Sequence, residues 1–263
     1  MLKQRLLTAA VLMPLALWAV LALPAAPFAL LIGIVALIGF WEWSALLTPK
    51  RGGRRLYLLL ALLAMAGLWF WPDQQLVQDT LPWLGLFWFA LGVKLVARYP
   101  AIATLWRTHL PLRGLVGALM LLPTWYVLLL LQQQDPKLLI ALLLIVWAVD
   151  IGAYFSGRRW GRTKLAPAIS PGKSWEGVLG GAVLTVVVAT GIKLWLSQSW
   201  LFLMVALLTA MVSIVGDLAE SLFKRTADMK DSGSILPGHG GVLDRIDSLT
   251  TAAPLFWILM FYN

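Results

Sequence analysis

Nine apolar runs of bilayer length constrain the fold of this chain more than any other feature, at residues 6–23, 27–47, 56–72, 81–97, 112–131, 138–156, 176–197, 200–220 and 246–262. A helix needs about 20 residues, within a range of roughly 17–25, to cross the hydrocarbon core. The expected fold class is therefore all-α, a polytopic integral membrane protein with about nine transmembrane helices. Composition agrees, since 60% of residues are hydrophobic and only 13% are charged. Short loops leave no room for a separate soluble domain. The first run follows Lys3 and Arg5, as in a signal peptide, but it exceeds the usual core of about 7–15 residues, so an uncleaved first span is expected.

Basic residues divide between alternate loops. Lys3 and Arg5 precede the first run, and Lys50, Arg51, Arg54 and Arg55 follow the second. Arg98, Arg107 and Arg113 follow the fourth, and Arg158, Arg159, Arg162, Lys164 and Lys173 follow the sixth. Lys224, Arg225, Lys230 and Arg245 follow the eighth, whereas the intervening loops hold only Lys137. By the positive-inside rule the N-terminus is cytoplasmic and the C-terminus outside. The net charge of +9 is thus spread over membrane-bounded loops, which argues against nucleic acid as a partner. No cysteine is present, so no disulfide framework or thiolate metal site is available.

Chemistry concentrates late in the chain. Six of its twelve carboxylates fall within residues 217–247. Ser213, Asp217, Glu220, Ser221 and Lys224 share one helical face by spacing. Asp244 and Asp247 are three residues apart and share another. Between them lie Arg225, Lys230, Asp231 and a turn of Gly238, His239, Gly240 and Gly241, where backbone can take φ > 0 or approach a ligand closely. Carboxylates and cations at neighbouring helix ends point to a metal and phosphate site at a membrane surface. Upstream, Asp150 interrupts an apolar run and is a functional candidate for that reason. Gly157, Arg158, Arg159, Gly161 and Arg162 read as a basic, flexible turn. Ser170-Pro-Gly-Lys173-Ser174 precedes the seventh run and offers donors and a point charge to a phosphate. It is not a P-loop, because Pro167 stands where the first glycine belongs and no strand is expected before it. Gly177 likewise denies Ser174 a capping box. In the first half, Trp41 and Trp43 read as interface anchors, and Glu42 as a structural hydrogen-bond acceptor. The working division is a scaffold over 1–140 and a catalytic region over 141–263 that carries the loop 217–248.

The run from Ser221 through Lys224-Arg225, Lys230-Asp231, Pro237-Gly-His239-Gly-Gly and Asp244-Arg245-Ile-Asp247 resembles the signature of phosphatidate cytidylyltransferases. That family carries a stretch similar to Ser170–Ser174 in the corresponding place. The resemblance implies a membrane enzyme that joins CTP to phosphatidate, giving CDP-diacylglycerol and pyrophosphate. It implies metal held by Asp217 and Asp244, Mg²⁺ with a second, monovalent cation, and a homodimer in the bacterial inner membrane with its site facing the cytoplasm. On this reading Asp217, Ser221, Lys224, Asp244 and Asp247 carry the chemistry. Ser170, Lys173, Ser174, Arg225, Lys230, His239 and Arg245 contact substrate, and Asp150, Glu220 and Asp231 are further candidates.

Two other readings compete. A CDP-alcohol phosphatidyltransferase needs D-G-x-x-A-R and D-x-x-x-D, but Leu218 follows Asp217 and the final pair is D-x-x-D. A transporter with intramembrane carboxylates would show matching broken helices in both halves, whereas the polar residues here gather in 147–248.

Overall fold

The computed structural model describes residues 2–47, 50–101, 103, 106, 109–236, 238 and 240–262. The helices are α1 (Leu2–Ala22), α2 (Ala25–Leu47), α3 (Arg51–Trp69), α4 (Gln74–Arg98), α5 (Leu110–Gln134) and α6 (Pro136–Trp160). A short hairpin follows, β1 (Lys164–Ala166) and β2 (Ser170–Ser174). Then come α7 (Trp175–Trp195), α8 (Leu201–Thr226), the single turn α9 (Leu243–Ile246) and α10 (Leu249–Phe261). Each apolar run falls on a helix, as backbone groups in lipid require, although α4 starts well before its run, α8 extends beyond its own and the last run begins in α9.

Six helices, α2 and α4 to α8, are long and apolar enough to cross a membrane. This is the architecture of a helical integral membrane protein. Among the described residues, the other three helices on apolar runs do not meet that length and composition. α1 opens on Lys3, Gln4 and Arg5 before its apolar run begins. α3 opens on Arg51, Arg54 and Arg55. α10 has 13 residues, because the start of its run is spent on α9 and the junction at Asp247 and Ser248.

Local chemistry sets several helix ends. Asp73 caps α4 by accepting from the Leu76 amide at 2.9 Å, and Asp135 caps α6 by accepting from Lys137 at 2.9 Å. Arg158 and Arg159 close α6, and Lys224 and Arg225 close α8, where cations meet the carbonyl end. The expected flexible turn is thus helical through Trp160.

α10 forms the centre, packed on α4, α5 and α8, with Ala252, Ala253 and Phe256 fully enclosed. A cluster of aromatic rings lies on the Lys224 side of α8. Trp43, Trp106 and Trp88 surround Phe223 at centroid distances of 5.0, 4.8 and 6.3 Å. Trp43 is therefore a core residue and not an interface anchor, its indole N–H donating to the Arg113 carbonyl at 3.0 Å. Trp41 instead lies under the Arg54 guanidinium at 4.0 Å.

α6 and α7 approach through glycines. A Cβ on Gly152 would stand 2.6 Å from the Gly180 carbonyl oxygen and 2.9 Å from the Gly181 Cα. Those are backbone atoms and cannot swing away. Gly152→Ala is expected to part the two helices and cost about 1–3 kcal/mol, read as a lower unfolding temperature in detergent. An unchanged transition would show that the pair can slide without loss.

Candidate active site

The site is built from α8, the hairpin and the loop that leads into α9. On α8, Ser221 donates to Asp217 at 3.3 Å, and Lys224 pairs with Glu220 one turn back. The shared face expected from spacing is present, and the 3.6-residue period is what creates it.

β1 and β2 pair antiparallel, Lys164 with Ser174 and Ala166 with Ser170. Strand alternation then sends Lys173 and Ser174 opposite ways. Lys173 reaches Asp217 on α8 at 2.7 Å, while Ser174 is buried and caps α7 by accepting from the Gly177 amide at 3.1 Å. Gly177 removes only the reciprocal half of a capping box; the serine cap itself survives. Two more contacts fix the hairpin. Glu176 accepts from the Thr163 amide at 3.0 Å, and Arg225 donates through Nε to the Ile169 carbonyl at 3.1 Å.

The loop after α8 folds back onto its end. Gly238 and Gly240 have φ of 76° and 79°, so the glycines at these positions serve the turn. Asp244 is buried and accepts from Lys224 Nζ at 2.5 Å, Ser232 N at 3.0 Å and Gly241 N at 2.7 Å. Burial opposes its ionisation, but the Lys224 ammonium and these two amides outweigh burial and hold the carboxyl below its ordinary range. Asp247 is buried at the α9–α10 junction and accepts from the Ser248 amide at 2.7 Å. The charge of Asp217 acts on both Asp150 and Asp247, and Lys173 and Arg245 act on Asp150.

The expected residues thus fall into groups. Lys173, Asp217 and Ser221 form one, and Glu220, Lys224 and Asp244 another. Asp150, Asp247 and Arg245 stand within electrostatic reach of them. Arg225 is turned to the hairpin carbonyl, and Ser170 lies in β2 beside it. Lys230, Asp231 and Arg245 are exposed. His239 and Pro237 lie outside the described residues. Sequence reasoning missed Ser232, whose backbone amide meets Asp244, and the reach of Glu42 into this loop. A carboxylate buried in an apolar run must find donors, and that was the available signal for Glu42.

The chain matches the sequence model of the cytidylyltransferase family over residues 3–263. The chain belongs to the cytidylyltransferase family. A phosphatidate cytidylyltransferase of Pseudomonas aeruginosa is 46% identical over 268 residues, covering 99% of this chain and 97% of its own length. One from Haemophilus influenzae is 38% identical over 288 residues, covering 100% and 99%. One from Staphylococcus epidermidis is 47% identical over 120 residues, 44% of this chain and 46% of its own. Family membership makes the chain a nucleotidyltransferase.

Proposed function

We propose that this cytidylyltransferase condenses CTP with phosphatidate to form CDP-diacylglycerol and release pyrophosphate. The observation that carries the reading is the pairing of two lysines with two aspartates from separate elements, Lys173 with Asp217 and Lys224 with Asp244. A phosphate oxygen of phosphatidate attacks the α-phosphorus of CTP. The bond from that phosphorus to the bridging oxygen breaks, and pyrophosphate leaves. The nucleophile belongs to the substrate, so no side chain has to form a covalent intermediate. Two anions must approach each other, so fixed cations lower the barrier. Lys173 is half-buried at the edge of the site and can exchange Asp217 for a phosphate. Lys224 sits deeper and holds Asp244 in place. Ser221 is available to orient oxygens, whereas Ser174 is buried as the cap of α7 and supports the hairpin instead.

The donor set suits a hard divalent ion, because every candidate ligand is a carboxylate oxygen. Asp217 and Asp244 would hold Mg²⁺, with Asp247 and Asp231 as further ligands. When bound, the ion would offset triphosphate charge and polarise the reacting phosphoryl group. Both aspartates now carry an ammonium partner, so each is already placed to meet positive charge. Among the described residues no three acidic or histidine side chains converge as a ready-made metal cage. Mg²⁺ takes one or two carboxylates and shares substrate phosphates.

The reading extends to about nine spans, a cytoplasmic N-terminus and a site facing the cytoplasm in a bacterial inner membrane, with a homodimer as the working assembly. Residues 141–263 would carry the catalysis and 1–140 the scaffold. Pyrophosphate release by purified chain in micelles tests the chemistry. Release should require CTP, phosphatidate and Mg²⁺ together. Folded protein that releases none under any combination would overturn the reading and turn attention to transport.

A further inference from the structure

We propose that Glu42, a residue of the second helix, is a positioning residue that sets Asp244 from behind. It is buried, and its two oxygens accept three hydrogen bonds from the loop: Oε2 from Ser232 Oγ at 3.1 Å and Leu243 N at 2.7 Å, and Oε1 from Val242 N at 3.1 Å. Asp244 uses the same two segments, accepting from Ser232 N at 3.0 Å and Gly241 N at 2.7 Å. Ser232 therefore gives its hydroxyl to one carboxylate and its amide to the other. Amides 241, 242 and 243 divide in the same way, the first to Asp244 and the next two to Glu42. The two carboxylates share one scaffold of donors.

The fit is close on both sides. A Cβ on Gly233 would lie 2.8 Å from the Glu42 carboxyl carbon, and one on Gly241 would lie 2.7 Å from it. The loop has to present bare backbone to Glu42 at both places. Glu42 is itself held, since the neighbouring Trp43 is buried and bonded to Arg113 on α5. The loop is thereby pinned to α2, while Lys224 draws the far side of Asp244 toward α8 at 2.5 Å. Releasing Glu42 lets the loop drift and takes Asp244 with it.

This inference rests on the reading that Asp244 serves the nucleotidyl transfer. The test uses full-length protein in micelles and two variants. Glu42→Gln keeps the volume but replaces one accepting oxygen with an amide that cannot accept. The expected result is a fall in kcat and kcat/KM together by about tenfold, the size seen when an outer-shell partner is removed. Amide hydrogen exchange should accelerate over residues 231–236 and 240–245 and stay unchanged in α2 and α8. Ser232→Ala removes one of the three bonds and leaves the Ser232 amide on Asp244. It should give the same local acceleration and a severalfold fall in kcat. Unaltered turnover in Glu42→Gln would overturn the proposal, as would lost turnover with unchanged exchange in the loop. Should Glu42→Gln not fold, Ser232→Ala decides alone: local acceleration with reduced kcat supports the proposal, and wild-type behaviour overturns it. Wild-type protein that releases no pyrophosphate would instead sink the enzymatic reading, while loop exchange would still report whether Glu42 holds the loop.

Discussion

Asp217→Asn should cut CTP-dependent pyrophosphate release by about 10²–10³-fold, the cost of losing one charged group at a phosphoryl-transfer centre. The fold should survive almost untouched. Asp217 and its partner Lys173 have side chains 28% and 25% exposed, so their pair is screened by water. Pairs of that kind contribute about 0–1 kcal/mol. Asparagine keeps the size of the side chain and an acceptor for Ser221. Near-normal turnover at limiting Mg²⁺ would remove Asp217 from any metal role. A collapse of the unfolding transition would show that the residue serves the bundle instead.

Lys224→Met should lose both stability and turnover. Lys224 is buried and pairs with Glu220, which has no exposed surface, and with Asp244, which is buried as well. Methionine replaces the stem but leaves two carboxylates facing each other without a cation. Removing one member of a buried ion network costs about 3–5 kcal/mol. Thermal unfolding would read that loss, and pyrophosphate release would fall below detection in parallel. The double variant Lys224→Met with Glu220→Gln separates the two roles. It should recover much of the stability, since one stranded charge is gone, and none of the turnover. Recovery of turnover would mean that Lys224 acts only as a structural counter-ion.

The parts of this site that lie close together in sequence are legible without a structure. Helical spacing alone places Asp217, Ser221 and Lys224 on one face, because the period of an α-helix is local. The glycines of the turn are legible for the same reason: a tight reversal demands φ > 0, and Gly238 and Gly240 supply it. The hairpin was not legible. Ser170–Ser174 contains Pro and Gly and has no apolar alternation, so nothing in it announces a strand. It is extended because it pairs with Lys164–Ala166 and is tied down by Arg225 and Lys173. Trp43 misled for a related reason. A tryptophan at the end of an apolar run looks the same whether it meets headgroups or the Phe223 ring. Glu42 was correctly read as an acceptor, but its donors lie 190 to 201 residues downstream, and no local pattern can name them.

That separation bears on biogenesis. Chains enter the membrane from the N-terminus, so Glu42 is inserted long before its donors exist. The loop that completes the site can close only after α8 has been threaded and residues 241–243 have been made. Closing a loop of that span costs only slowly growing entropy, so the delay arises from synthesis order and not from an energetic barrier. A partly made chain therefore carries α1 to α8, the hairpin and Asp217 without the loop residues that meet Glu42. A chain that stops before residue 241 lacks Asp244 and two of the backbone amides that Glu42 accepts from, so its loop cannot be pinned to α2 in this way.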